Sequence, residues 1–504
     1  MSGTLRLVPG APAPGDPAAP GPRARPGHGR RHRPAWAADP LDALAGELAE
    51  VCAAAVHPDE IAAHLEAGGL TNEQIQRRYG RRDTFEAAAE LFDLVPRAHP
   101  EPPPGPDPWR ADAGTAMLRG LVFTLPGLGY ALGASFLTGP PDRFGLPAGT
   151  AALAVSALTG WAWNQALAHR AYAALAAGGR EAAGRVLRGG GPLGALVAFA
   201  AALLVAAAVP AGGAALAFAA GQAVYLAGAT ALLVLGRERL LLLALAPLAA
   251  GAAPLPWTDP PPGLRAAVLA GTVCAVTAAA ARETARAAGG TGGTGGPGGS
   301  VRGWAASLPY GLFGLGCGVL TTLAALGDVL RHGAGAPVAG HVVVALTLSM
   351  GAAEWLLYRC RGGALAALAA STTAAGLPWR TGLVLVRCLA GYLAVLAVLV
   401  LVAGALWPGV SRAEAADPVR VSAVLALGAV LWTGLLLQAF GAARLPALTV
   451  LAAAGAETAA FGWGAPGPLG PAGPAAVPLA VCGTAAAVLT VAATVLTGRV
   501  TAHR

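Results

Sequence analysis

The chain has 504 residues, of which 55% are hydrophobic and only 12% are charged, and its mean hydropathy is +0.58. Soluble domains carry about 25% charged residues, so this composition excludes an ordinary soluble protein and indicates an integral membrane protein. The net charge of +8 comes from arginine without any lysine, and most arginines stand between apolar runs, which is typical of the cytoplasmic loops of multi-pass membrane proteins.

The N-terminal part of the chain contains no membrane span. Residues 1–38 are rich in Pro and Arg, and we expect a disordered tail because they offer too little apolar surface to offset the entropy of ordering. Residues 39–98 are expected to fold as a small cytoplasmic helical module. The Pro-rich stretch 99–115 is expected to be an extended linker to the membrane part.

Helix start signals divide the module into short helices. Asp39 and Pro40 predict an N-cap followed by proline in the first turn, and Thr71 and Thr84 predict the caps of two later helices. Helices joined by tight turns also resemble a DNA-binding helix-turn-helix. Because acidic residues make the module about neutral, we expect no nucleic-acid partner. A docking or regulatory cap, for example for envelope-synthesis proteins, is the favoured interpretation.

Apolar runs of membrane-spanning length follow from residue 116 onward. A span needs roughly 20 apolar residues. We predict spans in a first half (116–281) at 116–137, 145–168, 191–211, 213–236, 240–256 and 264–281. A second half (305–497) has predicted spans at 305–329, 337–358, 381–407, 419–440, 445–463 and 474–497. The Gly-rich stretch 282–304 is expected to link the halves, and 498–504 to be a short tail. The predicted fold class is therefore all-α, with about twelve transmembrane helices in two halves and a soluble module.

The arginines predict the orientation. With a cytoplasmic N-terminus, the inside loops and tail hold most of the arginines of the membrane part, and the outside loops and their edges hold only Arg143, Arg265, Arg331, Arg412 and Arg420. This bias predicts a multi-pass protein of the cytoplasmic membrane with both termini in the cytoplasm.

Two similar passages mark the two halves as copies of each other. Residues 160–188 and residues 351–371 each end an apolar run with aromatic residues and arginine and continue as an Ala/Leu-rich amphipathic stretch. Six spans separate the copies, so both halves have the same orientation and are expected to be related by an axis along the membrane normal.

This layout suits the major facilitators and the multidrug, oligosaccharidyl-lipid and polysaccharide flippase superfamily, and the amphipathic stretches favour the second. The chain resembles that superfamily from the end of its second span to the start of its third, in the residues Asn164, Gln165, Arg170, Tyr172, Gly178, Gly179, Arg180 and Glu181. YLAGATALLVLGRER (225–239) resembles the fourth span of its polysaccharide transporter branch, and LPYGLFGLGCGVLTTLAALGDVL (308–330) resembles the start of the second half in Pel-type members. The resemblance covers residues 116–497 and consists of similar residue types in similar places, not of a strict sequence motif.

The resemblance implies a MATE-like carrier that opens alternately to each side of the membrane. Its cavity would accept a lipid-linked sugar or a cell-envelope polysaccharide, with membrane lipids as surroundings. Two alternatives remain open. One is a non-transporting scaffold that docks an envelope-synthesis complex through residues 39–98. The other is a drug or cation antiporter with the same fold.

Polar residues inside predicted spans are the candidate substrate or coupling residues, because charge within a bilayer is costly. Glu457 is the candidate coupling carboxylate, against an alternative as the structural partner of an arginine. Arg387 is the candidate phosphate or acidic-sugar ligand, against an alternative of snorkelling to headgroups. Gln222 is expected to bond between helices or to line a cavity.

Three further candidates stand near the ends of spans. Glu354 is expected to pair locally with Arg359, and Asn164 and Gln165 belong to the superfamily-like passage. Arg119 and Asp328 are expected at the membrane interface. No enzyme signature, cofactor motif or metal-ligand spacing is present, and the six cysteines form no CxxC pair. We therefore expect neither an enzyme nor a metal site.

Overall fold

The computed structural model describes residues 39–98, 113–137, 141–142, 145–209, 211–255, 257–289, 303–333, 338–371, 375–462, 476–499 and 501. The predicted tail, most of the predicted 99–115 linker and most of the Gly-rich linker lie outside these residues. The described residues form helices and no β-strand, which confirms the all-α fold class. Residues 39–98 and the membrane part belong to separate compact units.

The N-terminal module contains five short helices: α1 (Pro40–Glu47), α2 (Ala49–Ala54), α3 (Pro58–Ala67), α4 (Asn72–Tyr79) and α5 (Thr84–Leu94). The Asp39 side chain caps α1, and Thr71 forms a capping box with Gln74 on α4. The cap of α5 is Asp83, not the predicted Thr84, because the Asp83 carboxylate accepts from the backbone of Glu86.

A small apolar core holds the module together. Its side chains come from several of the five helices, and they include Leu41, Ile61, Leu65, Ile75 and Leu91. Arg81 connects the start of α1 with α4 and α5, since its guanidinium donates to Asp39, to Glu90 and to the carbonyl of Tyr79. These carboxylates raise the pKa of Arg81 above its usual value.

The first lobe of the membrane part contains α6 (Ala113–Thr124), α7 (Gly127–Gly133), α8 (Thr150–Ala208), α9 (Gly213–Val234), α10 (Glu238–Ala252) and α11 (Pro262–Ala288). The second lobe contains α12 (Leu308–His332), α13 (Gly340–Ala369), α14 (Leu377–Leu406), α15 (Arg412–Ala415), α16 (Pro418–Ala439), α17 (Arg444–Gly462) and α18 (Ala476–Thr497). The predicted spans overlap these helices in the same order; the first span overlaps both α6 and α7, and the second and third overlap the two parts of α8.

Nine helical segments of the described residues are long and apolar enough to cross a membrane; one of them runs through α6 and α7, and another through α15 and α16. A third is α8, whose 59 residues comprise two spans because Gly178 and Gly179 leave the helical conformation. The 15-residue α10 is only about 22 Å long at 1.5 Å per residue, shorter than a hydrocarbon core of about 30 Å. The first span is interrupted between α6 and α7 at Pro126, which has no backbone N–H to continue the helix.

The amphipathic stretch after the second span is continuous with the spans on both sides of it. Residues 169–177 extend the second span, and residues 180–190 begin the third. We call the side of the membrane part on which α8 bends the arginine-rich side. It also carries Arg119, Arg237 and Arg286, since Arg180 beside the bend donates to the carbonyl of Leu235, Glu283 pairs with Arg237 and Arg286, and Arg119 pairs with Glu238. We call the side of the membrane part that faces away from it the opposite side.

The two lobes repeat the same helix packing. In each lobe the first helix packs on the fifth, the fourth on the sixth and the fifth on the sixth: α6 on α10, α9 on α11 and α10 on α11, then α12 on α17, α16 on α18 and α17 on α18. Between the lobes, α6 packs on α13, and α12 packs on the first part of α8, residues 150–177. The first helix of each lobe therefore lies against the second helix of the other, as a two-fold relation between lobes requires.

Candidate functional site

The contact between α6 and α13 is a close crossing of small residues. A Cβ added to Gly120 would lie 3.0 Å from the Cα of Gly351, and one added to Gly351 would lie 2.8 Å from the carbonyl oxygen of Ala116. Small residues allow helix backbones to approach closely within a membrane, where packing replaces the hydrophobic driving force.

Arg119 lies directly beside this crossing and bonds to both lobes. Its Nε and Nη2 donate to Glu238 Oε1 of α10 at 2.9 and 2.6 Å. Its Nη1 donates to Glu354 of α13, in the second lobe. The predicted pairing of Glu354 with Arg359 is wrong, because Arg359 instead lies over the Trp355 ring at 4.9 Å.

The reciprocal contact, between α12 and α8, combines small residues with uncharged polar groups. A Cβ on Gly311 would lie 2.9 Å from the carbonyl oxygen of Ala162, and the Gln165 side chain packs against Gly314. His169 Nδ1 forms a hydrogen bond with Ser307 Oγ at 2.9 Å, and its ring stacks on Tyr310. Gln165, a candidate from the sequence, is thus a residue of the lobe contact.

Trp304 extends this contact toward the arginine-rich side. Its ring lies 5.3 Å from that of Trp163, and the Arg170 guanidinium lies over it at 4.9 Å. Both inter-lobe contacts therefore hold polar or cationic groups at the ends of their helices that face the arginine-rich side.

The first lobe contains a cavity of about 510 Å³ in the half nearer the opposite side. Its wall comes from α7, α9, α10 and α11 and is almost entirely apolar, with aromatic rings from Tyr130, Phe136, Phe218 and Tyr225. Gln222 of α9 lies in this wall and is 8% exposed. Its amide oxygen and nitrogen have no hydrogen-bond partner among the described residues.

Asn164 does not line this cavity. It is buried within the first lobe, where its Nδ2 donates to the carbonyl oxygen of Gly160 at 2.7 Å. Its Oδ1 has no partner within the described part of the chain. Asn164 is therefore a packing residue of α8 in this conformation.

The second lobe contains a smaller cavity of about 240 Å³ at the corresponding height. Asp328, Glu414 and Arg420 stand at its rim, and Arg420 donates to Asp328 at 2.7 Å. Glu414 closes a capping box with Ser411. Asp328 thus belongs to a cavity rim.

Glu457 lines the same cavity at depth. It is 1% exposed, and the Cys482 thiol donates to it at 3.9 Å. His341 also lines this cavity, and its Nδ1 has no hydrogen-bond partner in the described ranges. The cavity therefore brings acidic and titratable side chains from α12, α13, α17 and the α15 loop to one place.

The two cavities are related by the repeat but differ in chemistry. Gln222 is the tenth residue of α9 and Leu427 the tenth of α16, and each lines the cavity of its own lobe. One cavity is aromatic with one amide, and the other is acidic at its rim and at depth. No group of three or more His, Cys, Asp or Glu residues able to hold a metal ion occurs in the described residues.

Arg387 belongs to neither cavity. It is exposed on α14, beside the exposed Leu383 and Val386. This face carries further exposed valines and leucines toward the opposite side, so it is an outer face suited to lipid. The position favours the snorkelling alternative over a role as a phosphate ligand.

No protein-family model matches the chain, and no curated protein matches it. Among solved structures, the chain is similar to a crystal structure of MATE in complex with MaL6, with a TM-score of 0.41 and 13% identity, covering 77% of this chain and 97% of that chain. It is also similar to an inward-facing conformation of a multidrug resistance MATE family transporter of the MOP superfamily, with a TM-score of 0.38 and 13% identity, covering 77% and 95%.

Proposed function

We propose that the protein is a membrane transporter that opens alternately to the two sides of the membrane. The observation that carries this proposal is the reciprocal contact of the lobes, α6 on α13 and α12 on α8. Two similar bodies joined in this way can rock about a shared axis while their own cores stay packed. The cavities of about 510 and 240 Å³ lie away from the arginine-rich side, where the contacts between the lobes carry polar groups.

The proposed substrate is an amphiphile of the cell envelope, a lipid-linked sugar or a polysaccharide intermediate. The first-lobe cavity supports an apolar moiety, because its wall is aromatic and aliphatic. The Gln222 amide offers two N–H donors and an acceptor oxygen for a polar group of the same ligand. The protein would act in the cytoplasmic membrane, with the arginine-rich side in the cytoplasm.

Glu457 is the proposed coupling group. A carboxylate that is 1% exposed and lines a cavity can exchange a proton or cation only when that cavity opens to water. Asp328 and Glu414 outnumber Arg420 at the rim, and this net negative charge would favour cations at the entrance.

A drug or cation antiporter is the second candidate, and the aromatic wall of the first-lobe cavity favours it. Tyr130, Phe218 and Tyr225 could stack on a planar aromatic cation as well as on an isoprenoid chain. The scaffold alternative does not require a cavity in either lobe, so a transport assay separates it from both carriers.

The test is transport by the purified protein in liposomes. One assay follows a fluorescent polyprenyl-linked sugar moving between leaflets by quencher protection, and a second follows uptake of an aromatic cationic dye under a pH gradient. We expect movement of the lipid-linked sugar and its loss in Glu457→Gln. Glu181→Gln is the matched control, because Glu181 is an exposed carboxylate that pairs with Arg185 on α8. Dye uptake alone would support the antiporter, and activity in neither assay would support the scaffold.

A further inference from the structure

Arg119 has one carboxylate partner in its own lobe and one in the other. Glu238 belongs to α10 of the first lobe, like Arg119 itself, whereas Glu354 belongs to α13 of the second. Different guanidinium nitrogens serve the two partners, Nε and Nη2 for Glu238 and Nη1 for Glu354. One ion pair can therefore break while the other stays intact.

Arg119, Glu238 and Glu354 are partly shielded from water, so salt screens their ion pairs less than it screens surface pairs. The Arg119 side chain is 25% exposed, that of Glu354 22% and that of Glu238 12%. Arg119 is adjacent in sequence to Gly120, and Glu354 lies one helical turn from Gly351, so the inter-lobe pair stands at the closest approach of the two helices. Any separation of α6 from α13 must lengthen it.

We propose that Arg119 is a switchable latch between the lobes. In the closed state, with α6 against α13, Arg119 is paired with both Glu238 and Glu354; when the arginine-rich side opens, it stays paired with Glu238 alone. This inference rests on the proposed alternating-access function and names the group that controls one of its two states. Glu354 fastens the latch, because it loses its partner on opening. Glu238 has the opposite role, because it keeps the guanidinium paired in the open state and so makes opening less costly.

The two carboxylates therefore affect the equilibrium in opposite directions. Removing the Glu354 charge takes away a bond present only in the closed state. Removing the Glu238 charge leaves Arg119 with its inter-lobe partner when closed and with no carboxylate when open. If the two ion pairs had only a structural role, both substitutions would shift the equilibrium between the closed and open states in the same direction.

The experiment measures the distance between the lobes by pulsed electron spin resonance on the full-length protein in liposomes. Spin labels replace Arg282 of α11 and Arg499, which are exposed on the arginine-rich side of the first and second lobes, in a background without native cysteines. We expect Glu354→Gln to raise the ratio of long to short distances roughly tenfold, which is less than the loss of a fully buried pair and more than the loss of a surface pair, because this pair is only partly shielded from water. We expect Glu238→Gln to lower that ratio, and Glu181→Gln to leave it unchanged.

The possible results separate the latch from the transport proposal. Two distance populations in the wild type with the same shift in both variants, or with no shift in either, would overturn the latch and leave alternating access intact. A single distance in the wild type and in each variant, with and without a pH gradient, would contradict both. Opposite shifts of Glu354→Gln and Glu238→Gln would establish the latch.

Discussion

Burial of the Gln222 amide lowers the stability of the first lobe, and no hydrogen bond within the described residues compensates for it. Both polar atoms of its amide lie in an apolar wall without a partner among the described residues. A buried polar group in that condition destabilises a protein by about 1–3 kcal/mol. A residue that lowers stability while facing a cavity of about 510 Å³ is more easily explained by a ligand than by packing.

Gln222→Leu is therefore expected to raise the thermal unfolding midpoint in detergent and to reduce transport of the lipid-linked sugar. The leucine removes the unsatisfied amide at similar volume. Gln438→Leu is the matched control, because the Gln438 Nε2 is also buried without a partner in the described residues but the side chain lines neither cavity. It should be stabilising without altering transport. A Gln222→Leu protein that is less stable than wild type would show that the amide has a structural partner.

At the scale of single elements, the bend in α8 depends on one glycine. Gly179 has φ +67° and ψ −166°, a conformation essentially restricted to glycine. The sequence places the glycine pair between two helical stretches, but glycine alone does not indicate whether a helix stops, bends or continues. The backbone angles show that the helix changes direction there and that both arms extend beyond the predicted span ends.

We expect Gly179→Ala to destabilise the protein by about 1–3 kcal/mol, because alanine is strained at this φ and ψ. Thermal unfolding in detergent measures the effect. Gly189→Ala is the control on the same helix, since a Cβ at Gly189 meets no atom within 4 Å and its φ is not positive. Equal midpoints for the two variants would mean that the bend is not fixed by Gly179.

The start of α5 links the stability of the N-terminal module to pH. Asp83 accepts from the backbone of Glu86 at 2.8 Å and from Arg82 Nε at 3.1 Å, and these bonds lower the pKa of its carboxyl group. A group with a lowered folded pKa stabilises the fold above its unfolded value, and this stability is lost as the pH falls through the folded pKa.

Circular dichroism of a fragment covering residues 39–98 should therefore show helix loss on acidification below about pH 4, the unfolded value for aspartate. Asp83→Asn should lose less helix over this range, because asparagine caps a helix about as well and does not titrate. Asp93→Asn, at an exposed position in the same helix, should retain the wild-type profile. Identical profiles for all three proteins would assign the acid sensitivity to other groups.

For the whole molecule, the sequence predicts the helices far better than the contacts between them. Spans can be recognised because the hydrocarbon demands long apolar runs, and Gly120 and Gly351 carry no signal that distinguishes them from the other glycines of the chain. Arg119 and Glu354 are 235 residues apart, so only the packing of the lobes brings them together. The repeat in the sequence predicts two similar halves, but not that each first helix lies against the other half.

The reciprocal lobe contact predicts that the two halves associate without a covalent link. Residues 1–295 and 296–504, expressed together as separate chains, should copurify in mild detergent through a tag on one of them, because α6–α13 and α12–α8 both cross between the lobes. Gly351→Val should greatly reduce the recovered partner, since its side chain would collide with the carbonyl of Ala116, where a Cβ already lies at 2.8 Å.

Gly271→Val is the matched control for this experiment, because Gly271 is an exposed membrane-helix glycine with no atom within 4 Å of an added Cβ. It should leave copurification unchanged. If two stable halves fail to associate even in the wild-type sequence, the lobe contact depends on the covalent linker. In that case the small residues and the shared arginine would align the lobes but would bind them too weakly to keep separate chains together. Weak binding is what a carrier needs if its lobes separate in each transport cycle.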